Sequence, residues 1–484
     1  MAKIIFFQDL MAEFHGVMHI SSVLKKHGHT CDVLISSDIS EITAFIKVQK
    51  PDIVGFSLMS GVHQWALMMA AGIKKVFPEL KIVFGGVHPT YFPEIIEKDP
   101  VDIICRGEGE YSALDLMNAL EQGKTYTHIK NLWVKEDGRI YQNEMRPLIE
   151  NLDNLPYPDH DLYYDRYPFL KDRSVKNFIV VRGCPYDCSF CYNKKLKHMY
   201  KGKGRYVRYR SKESIIEEIK DLKKRYDFKR IYFVADTMFV DKKWAVDFLK
   251  YYKEKLGIPF SAVIRADRMD ENVARGLKEA NCKATWFGIE SGNEHYRNEI
   301  LKKSLTDKQI IQAAFLLKKY GIKFRTYNML CLPGETIEQA YDTVNINIKI
   351  KTDYPWCSIY TPYFGTELVD YAQNMGYLDP KFNIDCIDAS YFKETHLKGN
   401  HVREMLNLQR FFQTAILLPW TLPLIKKLVK LPPNLFFNLW FQLIYVLLYI
   451  RSEGHGLWET LKFSLHYSKI YYRKNPEKSI RKEP

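Results

Sequence analysis

The chain has 484 residues, 46% of them hydrophobic and 26% charged, so it is long enough for two or three domains with ample cores and has an ordinary globular composition. Nine cysteines fall without a framework of pairs, which excludes a disulfide scaffold, and no secretory signal follows Met1-Ala2-Lys3, so a reducing cytoplasm is expected. The formal net charge of +14 favours anionic partners, whether nucleic acid or an anionic membrane surface, or serves solubility alone.

Up to about residue 125, short apolar runs alternate with helical stretches. Strands are expected at Lys3–Gln8, Asp32–Ile35, Ile53–Leu58, Lys81–Phe84 and Asp102–Cys105. Between them, Val17–Lys26 and Gln64–Phe77 place apolar residues at i, i+3 and i+4. This alternation predicts a doubly wound parallel sheet over 1–135, with its ligand beyond the carboxyl ends of the strands. Those ends carry Ser57-Leu58-Met59-Ser60-Gly61, Gly85-Gly86-Val87-His88 and Arg106-Gly107-Glu108-Gly109. Glycines there let the backbone approach a flat or phosphorylated cofactor closely.

Residues 136–172, rich in Pro, Asp and Tyr around Leu155-Pro156-Tyr157-Pro158-Asp159, read as an ordered linker. Alternation then resumes over 173–395. Strands are expected from Phe178 and at Arg230–Ala235, Pro259–Ile264, Ala284–Ile289, Lys323–Cys331 and Ser358–Tyr363, with helices near 212–226, 241–256, 270–281, 306–320 and 336–350. Six βα units predict a partial TIM-type barrel with its chemistry at the strands' C-terminal face.

A short loop follows the first of these strands: Arg182-Gly183-Cys184-Pro185-Tyr186-Asp187-Cys188-Ser189-Phe190-Cys191. Thiols spaced C-x3-C-x2-C suit three irons of a [4Fe–4S] cube and leave the fourth iron open to a small ligand. A zinc site is the plainer alternative, but no second Cys/His pair at knuckle spacing accompanies them. The other cysteines, Cys31, Cys105, Cys282, Cys331, Cys357 and Cys386, sit mostly in apolar or strand-like runs and read as small core residues.

After about residue 396 the chain becomes helical, hydrophobic and basic. Asn434–Ile450 is dominated by Leu, Phe, Trp and Tyr, but its uninterrupted part of about 16 residues is short of the ~20 a membrane span needs. Lys426, Lys427, Lys430, Arg451 and a Lys/Arg-rich end from Lys462 flank it. Three roles fit residues 416–451: covering the open barrel, peripheral contact with the inner face of a membrane, or an oligomer contact. No nucleic-acid module is recognisable, and none is expected.

The Cys loop, with an aromatic residue just before its last cysteine, resembles the radical SAM superfamily. The three glycine-bearing strand ends resemble the cobalamin-binding domain that precedes the barrel in one radical SAM subclass. The resemblance implies that Cys184, Cys188 and Cys191 hold a [4Fe–4S] cluster whose open iron chelates S-adenosylmethionine (SAM), with Phe190 beside it. It implies that Asp236 receives the methionine amino group, that Arg265 and Asp267 reach the ribose or carboxylate, and that Glu290 and Ser291 support the adenosine. For cobalamin it points to Ser57, Ser60, Gly61, Gly85, Gly86, His88, Glu108 and Gly109. The D-x-H-x-x-G motif that supplies cobalt's lower ligand in other cobalamin domains is missing from Asp9-Leu10-Met11-Ala12-Glu13, and His15 is out of place for it. Tyr327, Tyr360 and Tyr363, near later strand ends, are candidates for lining a substrate pocket.

The resemblance implies methylation of an unactivated carbon on a lipid, peptide or natural product. One SAM methylates the corrinoid, a second yields a 5′-deoxyadenosyl radical, and a donor such as flavodoxin or ferredoxin supplies electrons. Oxidative cyclisation or rearrangement with the same cofactors is the alternative, and a corrinoid-binding sensor is the non-enzymatic one. A methylthiotransferase would carry a further N-terminal Cys triad, whereas only Cys31 and Cys105 precede the loop.

Overall fold

The computed structural model describes residues 1–387, 392 and 395–453, so the basic end from Lys462 lies outside the described residues. The chain forms two compact units, one built from Met1–Arg173 and Gly202–Arg205, the other from Ser174–Lys201 and the described residues from Tyr206 on.

In the first unit, strands β1 (Lys3–Gln8), β2 (Thr30–Ile35), β3 (Ile53–Ser57), β4 (Lys81–Gly85) and β5 (Ile103–Cys105) pair in parallel. Strands β6 (Leu132–Glu136) and β7 (Arg139–Gln142) extend the sheet as an antiparallel hairpin, giving the order β2-β1-β3-β4-β5-β6-β7. Ile5, Phe7, Val54, Phe56, Ile82 and Phe84 form its buried centre, which is why these runs read as strands. The doubly wound sheet matches the sequence expectation. The hairpin extends it, and its signal is Asp137-Gly138, both at positive φ (49° and 72°) as a tight two-residue turn requires. The segment read as a linker packs in this unit through buried Leu152, Leu155, Leu162 and Leu170 and through polar contacts. The Tyr163 hydroxyl donates to Gln8 Oε1 at 2.7 Å, and Tyr167 Oη accepts from the Ile35 amide at 2.6 Å.

The second unit opens with β8 (Val175–Ile179) and a short antiparallel pair, β9 (Val181–Arg182) with β10 (Arg208–Tyr209). It continues through β11 (Arg230–Val234), β12 (Phe260–Val263), β13 (Cys282–Glu290), β14 (Lys323–Leu330) and β15 (Tyr354–Ile359). Six strands pair in parallel in the order β15-β14-β13-β12-β11-β8, an open partial barrel. Side chains that accept an amide of the next turn start the intervening helices: Ser211, Asp241, Asp270, and the full capping boxes of Thr306 with Gln309 and Thr336 with Gln339. The last strand begins earlier than the expected Ser358, because Pro355 is tolerated in an edge strand with a single neighbour. The β13–Ile337 helix contact depends on Gly292. A Cβ there would lie 2.3 Å from the Asp342 carbonyl.

Three helices follow, Val402–Leu417, Leu422–Leu428 and Leu435–Glu453. Phe411, Phe412, Ala415 and Phe437 share a core with Leu330, Val344, Cys357 and Ile359, so the C-terminal region covers the β14–β15 side of the barrel. The last helix has 19 residues, longer than the apolar run of the sequence reading, since it continues through Arg451, Ser452 and Glu453.

The β14 turn Leu332-Pro333-Gly334-Glu335-Thr336 buries Glu335, whose Oε2 accepts the Leu332 amide at 3.1 Å. Burial pushes this carboxyl up to about 8, against the pull of the Leu332 and Cys331 amides. The folded chain therefore holds this proton more tightly than the unfolded chain. Stability should fall as pH rises from about 4.5 to 8, by up to ~1.4 kcal/mol per pH unit, and level off above. Glu335→Gln should remove that contribution. In urea unfolding the variant should match the parent near pH 5 and exceed it at pH 9, and a constant difference between them would contradict the assignment.

Candidate active site

Gly183, at φ 88°, lets β9 turn into the Cys loop; a Cβ there would lie 2.4 Å from the Tyr206 carbonyl oxygen. Ser189 pins the loop's other end. Its amide donates to the Leu301 carbonyl (3.0 Å), its hydroxyl to that of Ile300 (2.7 Å), and its carbonyl accepts from Leu368 (2.9 Å). The thiols of Cys188 and Cys191 are close enough to Cys184 to raise its proton affinity, and Cys188 raises that of Cys191. Burial pushes Cys184 up to about 12, with Asp236 and the other two thiols adding to it, and burial raises Cys191 likewise. Asp236, at the end of β11, is raised by burial and held by Asn193 and the Gly183 amide. Asn193 also donates to Cys191 Sγ (3.8 Å) and accepts from Tyr206 Oη (2.8 Å). The structure thus brings the predicted triad and Asp236 together, with Cys188 buried, Cys184 and Cys191 half-buried and Asp236 open to solvent.

Among the described residues, no three His, Cys, Asp or Glu side chains converge on a point that would hold one metal ion, so the zinc alternative lacks a ligand set. Three thiols gathered around a space, each free to bind its own iron, fit a cluster.

Arg265 and Asp267 are engaged with each other (Nε to Oδ1, 2.8 Å), and together they clamp Tyr186 of the Cys loop. The Arg265 guanidinium lies 3.7 Å from the Tyr186 ring centroid. The tyrosine hydroxyl donates to Asp267 (3.2 Å) and accepts from Arg268 (2.7 Å). Arg265 also donates to the carbonyls of Lys303 and Ser304. These geometries make the pair a support for the loop.

Glu290 ends β13 beyond a register shift at Gly288 and lies at φ 69°, a left-handed conformation held against local preference. The bulge aims its carboxylate at Lys303 Nζ, 2.9 Å away and buried, and Lys303 lies 5.8 Å from the Phe190 ring. A Cβ at Gly288 would occupy the space of this ion pair. Ser291 is fully buried, and its carbonyl accepts from Arg297 (2.8 Å). Tyr186, Asn193, Tyr206 and Lys303 are site residues the sequence reading does not include. Only Tyr186 carried a signal, its place inside the Cys loop. Tyr327 lies between Trp286 and Trp356 (6.4 and 6.5 Å), Tyr363 packs on Tyr192, and Tyr360 is buried in the core.

In the first unit, β3 and β4 end side by side at Ser57 and Gly85. Gly86 sits at φ 92°, where a Cβ would meet the Leu58 backbone at 2.8 Å. A Cβ on Gly85 would make only ordinary contacts, so no protein atom accounts for its glycine, and the open space suits a flat ligand. His88 is buried, bonded to Ser60 Oγ (3.1 Å) and stacked on His63 (4.1 Å). Glu108 accepts the Ile149 amide (3.0 Å), and a Gly109 Cβ would press on Ile20 at 3.2 Å, so both also serve the fold. Gly61 adopts φ 98° in the turn after β3. The loop after β1 is tied down by the Gln8 side chain, which donates to the carbonyls of Leu10 (2.6 Å) and Ala12 (2.8 Å). It holds no imidazole.

The family model of the radical SAM superfamily matches residues 178–346, and that of the B12 binding domain matches residues 14–116. An uncharacterized methyltransferase of Pyrococcus horikoshii is 33% identical over 367 residues, 74% of this chain and 78% of its own. The anaerobic magnesium-protoporphyrin IX monomethyl ester cyclase of Rubrivivax gelatinosus is 26% identical over 430 residues, 84% and 74% of the two chains. The radical SAM methyltransferase TsrM of Kitasatospora setae, solved with tryptophan and a SAM analogue, shares the fold with TM-score 0.65 at 15% identity, over 78% of each chain. The chain belongs to the radical SAM superfamily. It is an enzyme of the cobalamin-dependent class, whose domains imply a [4Fe–4S] cluster, SAM and cobalamin.

Alanine at Cys184, Cys188 or Cys191 should reduce iron from about four per chain to near none and abolish reductive SAM cleavage. Iron analysis and 5′-deoxyadenosine production on anaerobically purified protein would check this, and retained cleavage would refute the triad. Lys303→Met strands a buried carboxylate and should cost ~3 kcal/mol. Adding Glu290→Gln should restore most of it in a denaturant titration.

Proposed function

We propose that this enzyme replaces a C–H bond of an unactivated carbon with C–CH3 on a lipid, peptide or natural-product acceptor. The observation that carries this reading is the Cys triad with Asp236 beside it, in a chain that also carries a B12 binding domain and is 33% identical to a methyltransferase. When bound, the cluster and SAM supply radical cleavage, and cobalamin supplies a methyl carrier. One SAM leaves as S-adenosylhomocysteine after giving its methyl, and a second leaves as methionine and 5′-deoxyadenosine, which carries the acceptor's hydrogen. Two electrons balance the cycle, delivered singly by a donor such as flavodoxin or ferredoxin.

In this reading Cys184, Cys188 and Cys191 hold the cluster, and Phe190 packs beside it. Asp236 takes the ammonium of SAM, for which an accessible carboxylate beside the thiols is suited. Arg265 and Asp267 keep the loop in place through Tyr186, and Glu290 and Ser291 shape the wall near the adenosine. Ser57, Ser60, Gly61, Gly85, Gly86, His88, Glu108 and Gly109 form the edge that receives the corrin, with Gly85 and Gly86 at its closest approach. A second reading, oxidative cyclisation without methyl transfer, is supported by the similarity to the magnesium-protoporphyrin cyclase.

Anaerobic protein loaded with corrinoid, supplied with SAM and a strong reductant, separates the two. S-adenosylhomocysteine that depends on corrinoid, together with 5′-deoxyadenosine, is expected. 5′-Deoxyadenosine alone would favour cyclisation, and absence of both would overturn either reading.

A further inference from the structure

The helix Leu435–Glu453 is apolar on two opposite sides, and only one of them is covered by protein. Its inner side is seated along its whole length. Phe437 packs on Phe411 (4.8 Å), Trp440 Nε1 donates to Thr414 Oγ1 (2.9 Å), Tyr445 lies 5.1 Å from Trp356, and Ser452 accepts from Arg325. Its outer side presents Leu435, Phe436, Leu439, Leu443, Val446 and Leu447, all exposed. At 100° per residue these six share one arc of roughly 120°, and the only charge that falls in it is Glu453 at the helix's last position. The preceding segment also exposes large apolar side chains, Trp420 at 77% and Leu424 at 57% accessible.

A helix packed on a water-soluble domain ordinarily turns polar groups to solvent, and an apolar surface of this extent marks an interaction site. Its charge identifies the occupant. No Asp or Glu occurs between Glu404 and Glu453, whereas Arg410, Lys426, Lys427, Lys430 and Arg451 fall in that stretch. Lys426, Lys427 and Lys430 are exposed and interleaved with the exposed Leu424 and Leu431. Leucine, phenylalanine and tryptophan rimmed by lysine match an acyl layer topped by phosphates. A second copy of this chain would set lysines against lysines. Leu435–Ser452 is long and apolar enough to cross a membrane, but the seated inner side excludes a span and requires the helix to lie in the interface plane.

We propose that the outer face of Leu435–Glu453, with Trp420, Leu424 and their flanking lysines, docks this enzyme on an anionic lipid bilayer. The docking surface is independent of the reaction assigned above, and its test needs no substrate.

Full-length, cluster-loaded protein would be sedimented with vesicles of phosphatidylcholine containing 30% phosphatidylglycerol, and with phosphatidylcholine alone. Binding at least tenfold stronger to the anionic vesicles is expected, weakening as salt is raised. Leu439→Asp with Leu443→Asp should cut binding at least tenfold, with iron content and 5′-deoxyadenosine formation unchanged as the test of folding. Lys426→Glu, Lys427→Glu and Lys430→Glu together should abolish the preference for phosphatidylglycerol. Failure to sediment with either vesicle, or undiminished binding of the aspartate variant, would overturn the proposal. So would a dimer in light scattering that the aspartates dissociate in the absence of vesicle binding, since the face would then join two copies.

Discussion

Three thiols and the Asp236 carboxylate lie close together, and Asp236, Cys191 and Cys188 each raise the cost of charging Cys184. Burial, with Asp236, Cys191 and Cys188 adding to it, pushes Cys184 up to about 12, and burial raises Cys191 likewise, so a metal must displace protons to bind these two. A positively charged centre would relieve both the desolvation and the repulsion on Cys184, which suits the loop to holding a metal centre better than to nucleophilic chemistry. For that to work, the loop must be held in place before the metal arrives. The close passage of Gly183 under the Tyr206 carbonyl, the three Ser189 backbone anchors and the Tyr186 clamp supply that order. Most of the polar residues around the triad are arranged toward the loop's backbone and Tyr186, not toward a ligand.

The periodic features of this arrangement were legible in the sequence, and the pairwise ones were not. Strand–helix alternation and the Thr336 cap follow from local chemistry, and the observed elements fall close to the expected ones. The Cys triad was readable as a unit because the C-x3-C-x2-C spacing puts three thiols on one short loop. Arg265 and Asp267 illustrate the limit. Their place at the end of β12 was visible, but their partner is Tyr186, far away in the chain, and that contact turns them from ligand-facing groups into a brace. Glu290 is a second case. Its aim depends on a register shift at Gly288 and on Lys303, and neither leaves a periodic trace.

The first unit shows the same division. Glycines at strand ends mark close backbone approach, yet Gly86 is required by the Leu58 backbone while Gly85 is not required by any protein atom. Only a residue of the second kind points outward to a ligand. By that criterion His88 and Glu108, both bonded within the fold, describe how the edge is built.

The C-terminal region extends this reasoning to the surface. Its inner face supplies cover that an open barrel needs: β15 is an edge strand, and Gln409 reaches the Cys357 carbonyl at 3.0 Å while Tyr445 packs on Trp356. Closing the barrel accounts for one side of the last helix and leaves the other unexplained. Stability alone favours replacing outward Leu435, Phe436, Leu439 and Leu443 by polar residues, because exposed leucine and phenylalanine add nothing to a packed core. Their presence on the same helix that closes the barrel means that one element meets two apolar environments, protein within and lipid without, and the unbalanced lysines around it fix the sign of charge on the second.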